Sequence, residues 1–460
     1  MSLCGLSAIE LVRRIRAGDL SARDVVGAHL TQIERVNPDV NAIVTLVAEQ
    51  AMDRARLADD AYANGDEVGP LHGLPIAHKD LQPTNGIRTT FGSPIYQDFV
   101  PAEDSLTVER LRHAGAICVG KTNTPEFGAG SQTFNPVFGA TLNPHDRTKT
   151  CGGSSGGAAV ALATHMLPIA DGTDMGGSLR NPASFCGVVG LRPSPGRVPV
   201  WPSSTAWSTL SVDGPMARSV ADLALMLSAI AGPDARSPIA IDEHGVRFAA
   251  PLERDFKGVR VAWWKDLGGV PVERRVRDAV NAQRTVFESL GCRVDEAEPD
   301  FGDFDAVFKT VRALAFLTGV APRIAGHRDQ VKDTIRWEID RGEKLTAAEI
   351  AWAETKRTEL YHRMRRFMER YDYFVLPTVQ VLPFSVDQPY PTEIDGVAMD
   401  SYIDWMKSCY YISIVGNPAI SVPCGFTTEG LPVGLQIVGR HRDDWGLLQL
   451  AHAFEGAAED

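Results

Sequence analysis

TCGGSSGGAAVALATHMLPIADGTDMGGSLRNPASFCGVVGLRP, residues Thr150–Pro193, decides how this chain is read. Two glycine-flanked serine clusters, Gly152–Gly157 and Gly176–Ser178, bracket an alanine-rich run, Ala158–Thr164, and an apolar extended piece, Leu167–Ala170. Glycine lets the backbone turn sharply and lets another group approach closely. A helix that begins just after such a turn points free N–H groups at whatever sits there. A serine held in the turn is then exposed as a nucleophile, with donors for an oxyanion beside it.

Outward from this stretch the chain alternates between helix and strand. Ser7–Arg16 places Ile9, Leu11, Val12 and Ile15 on one side of a helix, and Ser21 is an N-cap for a second helix running to about Arg35. Asn41–Leu46 reads as a short strand, Ala48–Asn64 as helix and Pro75–Asp80 as a brief apolar strand ending in charge. Ser105–Ala114 reads as a helix capped by Ser105, and Ala116–Gly120 as a buried strand. A strand at Gly187–Leu191 and a helix at Val220–Ala231 follow the quoted stretch. This order predicts an α/β architecture around one sheet. Further on, Val259–Trp264 is a strand, Glu273–Leu290 a helix, Asp303–Arg370 mostly helical, Tyr373–Pro377 a strand and Val381–Ile394 a proline-rich loop. Tyr402–Ile414 is helix, Ala419–Pro423 and Val433–Val438 are strands, and Trp445–Phe454 closes as helix. The late strands are expected to rejoin the sheet begun before residue 200. The expectation is therefore one large domain over residues 1–460. Within it lie N-terminal helices to 65, a core at 69–231, a variable, mostly helical region at 232–400, and C-terminal strands and helix at 401–460.

Composition bounds the function. A chain with 44% hydrophobic and 23% charged residues is an ordinary globular one, and a net charge of −12 argues against nucleic acid or an anionic membrane as partner. Seven widely spaced cysteines make no disulfide framework and read as reduced thiols of a cytoplasmic protein. Neither a zinc-ligand pattern nor a leader peptide nor a spanning apolar run is recognisable, so a soluble protein without a metal site is expected.

The serine candidates are Ser154, Ser155 and Ser178, and each needs a base. None of the eleven histidines makes a compelling partner. Lys79 does: it ends the apolar strand PIAHK, where burial would favour the neutral amine, and serine–lysine pairs are a known variant of serine–base catalysis. The plain alternative is a lysine paired with Asp80 or another carboxylate. Gly152–Gly156 also fits G-x-S-x-G with Ser154 at its centre, but the polar DRTKT before it is not the buried strand a nucleophile elbow follows. GGSSGG lacks the G-K-[ST] of a phosphate loop. Cys151 and Cys186 read as buried small residues, and Trp201, Trp207, Trp352 and Trp405 as core. Arg323 and Arg336–Arg341 read as a solvated helical face.

The block GGSSGGAAVALATHMLPIADGTDMGGSLRNPASFCGVVGLRPS resembles the signature of the amidase signature family. PIAHKD resembles its lysine-bearing strand, KTNTPEFGAG an intervening motif, and PAISVPCGF with LPVGLQIVG its C-terminal sheet motifs. The resemblance runs in order from about Gly69 to Gly439 and is weakest over 232–400. It implies a central mixed β-sheet covered by helices on both faces. It also implies amide hydrolysis through an acyl-enzyme, with no metal or organic cofactor and a small-molecule amide as substrate. Carried over by motif, Ser178 is the nucleophile, Ser154 the bridging serine after a cis peptide, and Lys79 the base. The main-chain donors for the oxyanion fall on Met175, Gly176, Gly177 and Ser178. Ser155, Asp174 and Arg180 support the site, and Gln132 and Phe134 are placed at the substrate pocket. Homodimers are common in that family. Two rivals stand beside this reading. One is the amidase component of a glutamine-dependent tRNA amidotransferase, which carries an acidic residue where this chain has Phe134. The other is an inert binding or scaffold protein of the same fold.

Overall fold

In a computed structural model of the chain, residues 2–459 are described. Helices α1 (Ala8–Arg16), α2 (Ala22–Val40) and α3 (Ala48–Ala63) open the fold. Ser7 and Ser21 cap the first two as expected, and Ser21 forms a full capping box with Asp24. The second helix continues past Arg35 and through Pro38. It ends where Asn41 turns left-handed and the Asn37 side chain accepts the N–H groups of Ala42 and Ile43. Ser105 caps α4 (Leu106–His113), also as expected, and α5 (Gly156–Ala163) begins inside the first serine cluster.

Eleven longer strands follow the chain as β1 (Ile43–Leu46), β2 (Pro75–Lys79), β3 (Ile117–Thr122), β4 (Ile169–Asp174), β5 (Val189–Arg192), β6 (Val212–Ala217), β7 (Arg260–Trp263), β8 (Arg293–Glu296), β9 (Tyr373–Pro377), β10 (Ala419–Phe426) and β11 (Pro432–Val438). Eight of them form a mixed sheet in the order β8-β7-β9-β11-β10-β5-β6-β4. The late strands β10 and β11 thus lie in its middle, next to β5, as the sequence predicted. Every residue of β6, β9 and β11 is buried. Side chains alternate between the two faces of a strand, so burial of both sets means that helices cover both faces. The 232–400 segment contributes β7, β8 and β9 along with its helices.

One expectation is corrected. The strands do not share a single sheet: β1, β3 and β2 form a separate three-stranded sheet in that order. Its edge strand β2 runs beside β4, the edge of the large sheet, and side chains make the link.

Two elements are not legible in the sequence. Strand β6, VDGPMA, looks like a turn because of Gly214 and Pro215. Pro215 is tolerated because β5 pairs only with Met216 and Ala217, so no ladder donor is needed from residue 215 on that side. Helix α6 (Arg180–Cys186) carries Pro182 in its first turn, where a missing N–H costs nothing. The tryptophans also divide: Trp405 is core, while Trp207 and Trp352 are exposed and Trp201 is half-buried.

Helix α6 packs on β5 through Gly190. A Cβ there would stand 2.4 Å from the Leu179 carbonyl oxygen and 2.9 Å from the Ala183 Cβ. Gly190→Ala is therefore expected to lower unfolding free energy by about 1–3 kcal/mol, the usual range for overpacking. Urea denaturation of the purified variant checks this; an unchanged midpoint would mean that α6 is not held against β5.

Candidate active site

Lys79 is the last residue of β2 and has no exposed surface. Its Nζ is hydrogen-bonded to Ser154 Oγ (2.7 Å), Ser155 Oγ (3.0 Å) and Thr173 Oγ1 (2.9 Å). All three partners are hydroxyls. The expected alternative, a pair with Asp80, is not formed: Asp80 binds the Thr90 N–H and hydroxyl. Burial drives the Lys79 amine down to about 7, against the opposing pull of Asp171, Asp174 and Asp213. Lys121, the neighbouring buried lysine on β3, binds the Gln82 carbonyl, Thr84 and Thr89 instead.

The two serine turns meet at this amine. Gly153–Ser154 is a cis peptide, and α5 starts just after Ser155. The Ser155 N–H donates to the Ser178 carbonyl (3.1 Å), which ties the GGSSGG turn to the GGSLR turn. Gly172 permits this approach, because a Cβ at that position would lie 2.5 Å from Ser155 Oγ. Ser154 and Ser178 open on one cavity of about 300 Å³, which Thr173, Met175 and Gly176 also line.

Asp174 shapes the second turn. It is fully buried and accepts from the N–H groups of Gly177 (2.9 Å) and Leu179 (3.1 Å). It also pairs with Arg180 (2.9 Å) and Arg192 (3.3 Å). Burial alone would raise its carboxyl, but the two guanidinium groups hold it well below the usual carboxylate range. Arg180 continues to the Cys409 carbonyl (3.1 Å), Gln436 (2.5 Å) and Ser413 (2.7 Å), so the turn is tied to β11 and the helix at Lys407–Val415. Of the four main-chain N–H groups expected to face an oxyanion, that of Gly177 is taken by Asp174. Those of Met175, Gly176 and Ser178 have no partner among the described residues.

Gln132 and Phe134 are corrected. They do not line the cavity shared by Ser154 and Ser178. They face an adjoining recess of about 360 Å³ with Lys332, whose Nζ stands 5.6 Å from the Phe134 ring centre. Gln132 is turned outward by its bond to the Val386 carbonyl (2.8 Å). Cys151 and Cys186 are buried as expected, and burial pushes the Cys151 thiol up to about 12. The Arg336–Arg341 face is also corrected, since Glu338 within it points inward and pairs with Arg312 (2.7 Å).

Several site residues escape the sequence reading. Thr173 contacts Lys79 directly, and Asp171 receives both the Lys79 N–H (3.2 Å) and the His78 ring (2.8 Å). Period-two spacing puts Asp171 and Thr173 on the same face of β4, and that is the available signal. Asp213 also lines the cavity, bound by Thr107 (2.7 Å) and Gln82 (2.8 Å), and burial raises its carboxyl to about 6. Nothing local in the sequence marks it.

The same constellation invites comparison with known proteins. The Amidase family model matches residues 24–448. The chain belongs to the amidase signature family. An acylamidase of Rhodococcus erythropolis is 36% identical over 457 residues, covering 98% of this chain and 95% of that protein. The A chain of the glutamyl-tRNA(Gln) amidotransferase of Synechococcus sp. (strain CC9605) is also 36% identical, over 474 residues, covering 97% and 95%. The crystal structure of a bacterial aryl acylamidase of the amidase signature family superposes with a TM-score of 0.91 at 29% identity, covering 98% of this chain and 96% of that one. This amidase-family chain shares the whole fold with its relatives, not one motif.

The Asp174 cluster gives a prediction. Asp174→Ala would leave Arg180 and Arg192 buried without their carboxylate. The expected loss is about 3–5 kcal/mol of unfolding free energy, as for other broken buried pairs. Chemical denaturation reads it, and a loss below about 1 kcal/mol would show that the turn is held by other means.

Proposed function

We propose that this protein is a serine amidohydrolase that uses Lys79, Ser154 and Ser178 on small carboxamides with apolar substituents. The observation that carries the reading is the buried Lys79 amine, bonded to three hydroxyls and to no carboxylate. An amine at about 7 is substantially neutral at physiological pH, so its lone pair can accept the Ser154 proton. Ser178 Oγ attacks the carbonyl carbon as its own proton passes to Ser154 and the Ser154 proton passes to Lys79. The N–H groups of Met175, Gly176 and Ser178 receive the oxyanion, while Gly177 serves Asp174 and the shape of the turn. Collapse breaks the C–N bond, and the proton returns from Lys79 through Ser154 to the leaving amine. Water then repeats the sequence on the Ser178 ester and releases carboxylate.

The cavity walls support an apolar substituent. Phe127, Val198, Trp201, Phe316 and Val320 line it. Among the described lining residues its one buried cation, Arg312, is already held by Glu338 and the Tyr402 hydroxyl (2.7 Å each) and so is not free for a substrate carboxylate. Together with Phe134 in place of an acidic residue, this favours an acylamidase-like role over the release of ammonia from glutamine. The likeness to acylamidases supports the same choice.

The test is a hydrolysis screen with aryl and alkyl amides beside glutamine, using Ser178→Ala as control. Aryl or alkyl amides should be turned over well above glutamine, and Ser178→Ala should lose more than about 1,000-fold in kcat. Glutamine as the preferred substrate, or turnover that depends on tRNA and a second protein, would sink this reading. Lys79→Ala should lose about 100- to 10,000-fold with the fold retained, the range for a removed general base. The wild-type pH profile is a second check. The neutral amine is the active form, so kcat/KM should fall about tenfold per unit as pH drops below about 7. A flat profile down to pH 5 would remove Lys79 as the base.

A further inference from the structure

Lys79 and His78 point to opposite faces of β2, as successive strand residues must. Lys79 faces the serines. His78 faces Asp171 and a recess of about 550 Å³ on the other side, between the small sheet and α3. Cys118 of β3 lines the same recess and sits against the His78 ring. The three side chains form an ordered series, with Cys118 thiol beside His78 imidazole and His78 Nδ1 on Asp171 (2.8 Å). No step of the proposed amide chemistry uses it.

Cys118 differs from every other thiol in the chain. The remaining six cysteines are buried, whereas Cys118 is partly exposed. Burial pushes all six of those thiols upward. Burial acts on Cys118 too, but the His78 imidazolium outweighs it and draws that thiol down. The paired thiolate and Asp171 in turn overcome burial at His78 and lift it to about 9. A thiolate held by an imidazolium is the nucleophilic form of cysteine.

The walls of the recess select a ligand charge. Arg54, Arg112, His72 and His113 surround the thiol, and Glu67 is the sole carboxylate among the described lining residues. His72 is 5% exposed, and its Nε2 finds no hydrogen-bond partner among the described residues. An unpartnered buried ring nitrogen beside a basic recess is a donor or acceptor awaiting a ligand.

We infer that Cys118 is a modification site for a low-molecular-weight anionic disulfide, and that its occupancy slows amide turnover by disturbing the His78–Asp171–Lys79 link. The Cys118 thiolate attacks one sulfur of the disulfide. That S–S bond breaks, a new S–S bond forms to Cys118, and the departing thiolate takes the proton held by His78. The coupling to Lys79 runs through Asp171, whose Oδ1 holds His78 and whose Oδ2 holds the Lys79 N–H (3.2 Å). The turnover effect rests on the function proposed above; the modification site does not.

The experiment treats the native full-length protein with dithiobis(nitrobenzoate), a dianionic disulfide, and in parallel with uncharged dithiodipyridine. Released chromophore gives the rate, and peptide mass spectrometry gives the site. The expected result is a single thiol modified per chain, at Cys118, with Arg54→Ala slowing the anionic reagent about tenfold and leaving the neutral one unchanged, in line with electrostatic steering of rates. Amide hydrolysis should fall at least about fivefold on modification and return with dithiothreitol, while Cys118→Ser is active and insensitive. Modification of a different cysteine, no modification of the native protein, or a Cys118 adduct with full amide turnover would overturn the inference. If the untreated protein hydrolyses no amide, the failure belongs to the proposed function, and the labelling rates still decide the site.

Discussion

Asp171 reaches across the gap between two sheets. The small sheet carries Lys79, and the large one carries the strand that leads into the Ser178 turn. No backbone ladder joins them, so the carboxylate of Asp171 substitutes for one, accepting the Lys79 N–H with one oxygen and binding the His78 ring with the other. Charge-assisted bonds of this kind are shorter and stronger than neutral ones. Every distance between the lysine and the serines depends on that registration. The same bond is the route by which the outer face of β2 communicates with its inner face.

The inner face concentrates ionisable groups away from water. A lysine and an aspartate are both fully buried within the same small volume, and each is accommodated differently. Asp174 remains ionised because two guanidinium groups and two main-chain N–H groups surround it. Lys79 has only hydroxyl partners, and burial favours its neutral form. Desolvation without a counter-charge is what separates a candidate base from a structural ion pair. Nearby Lys121, also buried, instead faces a carbonyl and serves to hold the loop after β2.

Arg180 extends the polar network outward. From one side chain it reaches Asp174, the Cys409 carbonyl, Ser413 and Gln436, so residues more than 220 positions apart in sequence are locked to one turn. This explains why β10 and β11 must return to the centre of the sheet. Without them the guanidinium would be buried with half of its donors unpaired, which costs more than the pairing itself gains.

Local chemistry determined much of this protein in advance. The glycine–serine turns, the Ser7 and Ser21 caps, and the apolar strands at Pro75–Lys79 and Tyr373–Pro377 are short-range features, set by backbone freedom, capping and side-chain period, and all are legible from neighbouring residues. Tertiary structure alone decided the separation into two sheets, the outward turn of Gln132 and Phe134, the inward turn of Glu338, and the arrival of Thr173, Asp171 and Asp213 around Lys79. It also made Pro215 acceptable within a strand by leaving its neighbour short. The physical reason is common to all of these. A side chain's partner across a sheet gap is fixed by which edges pack together, and a linear sequence carries no local term for that.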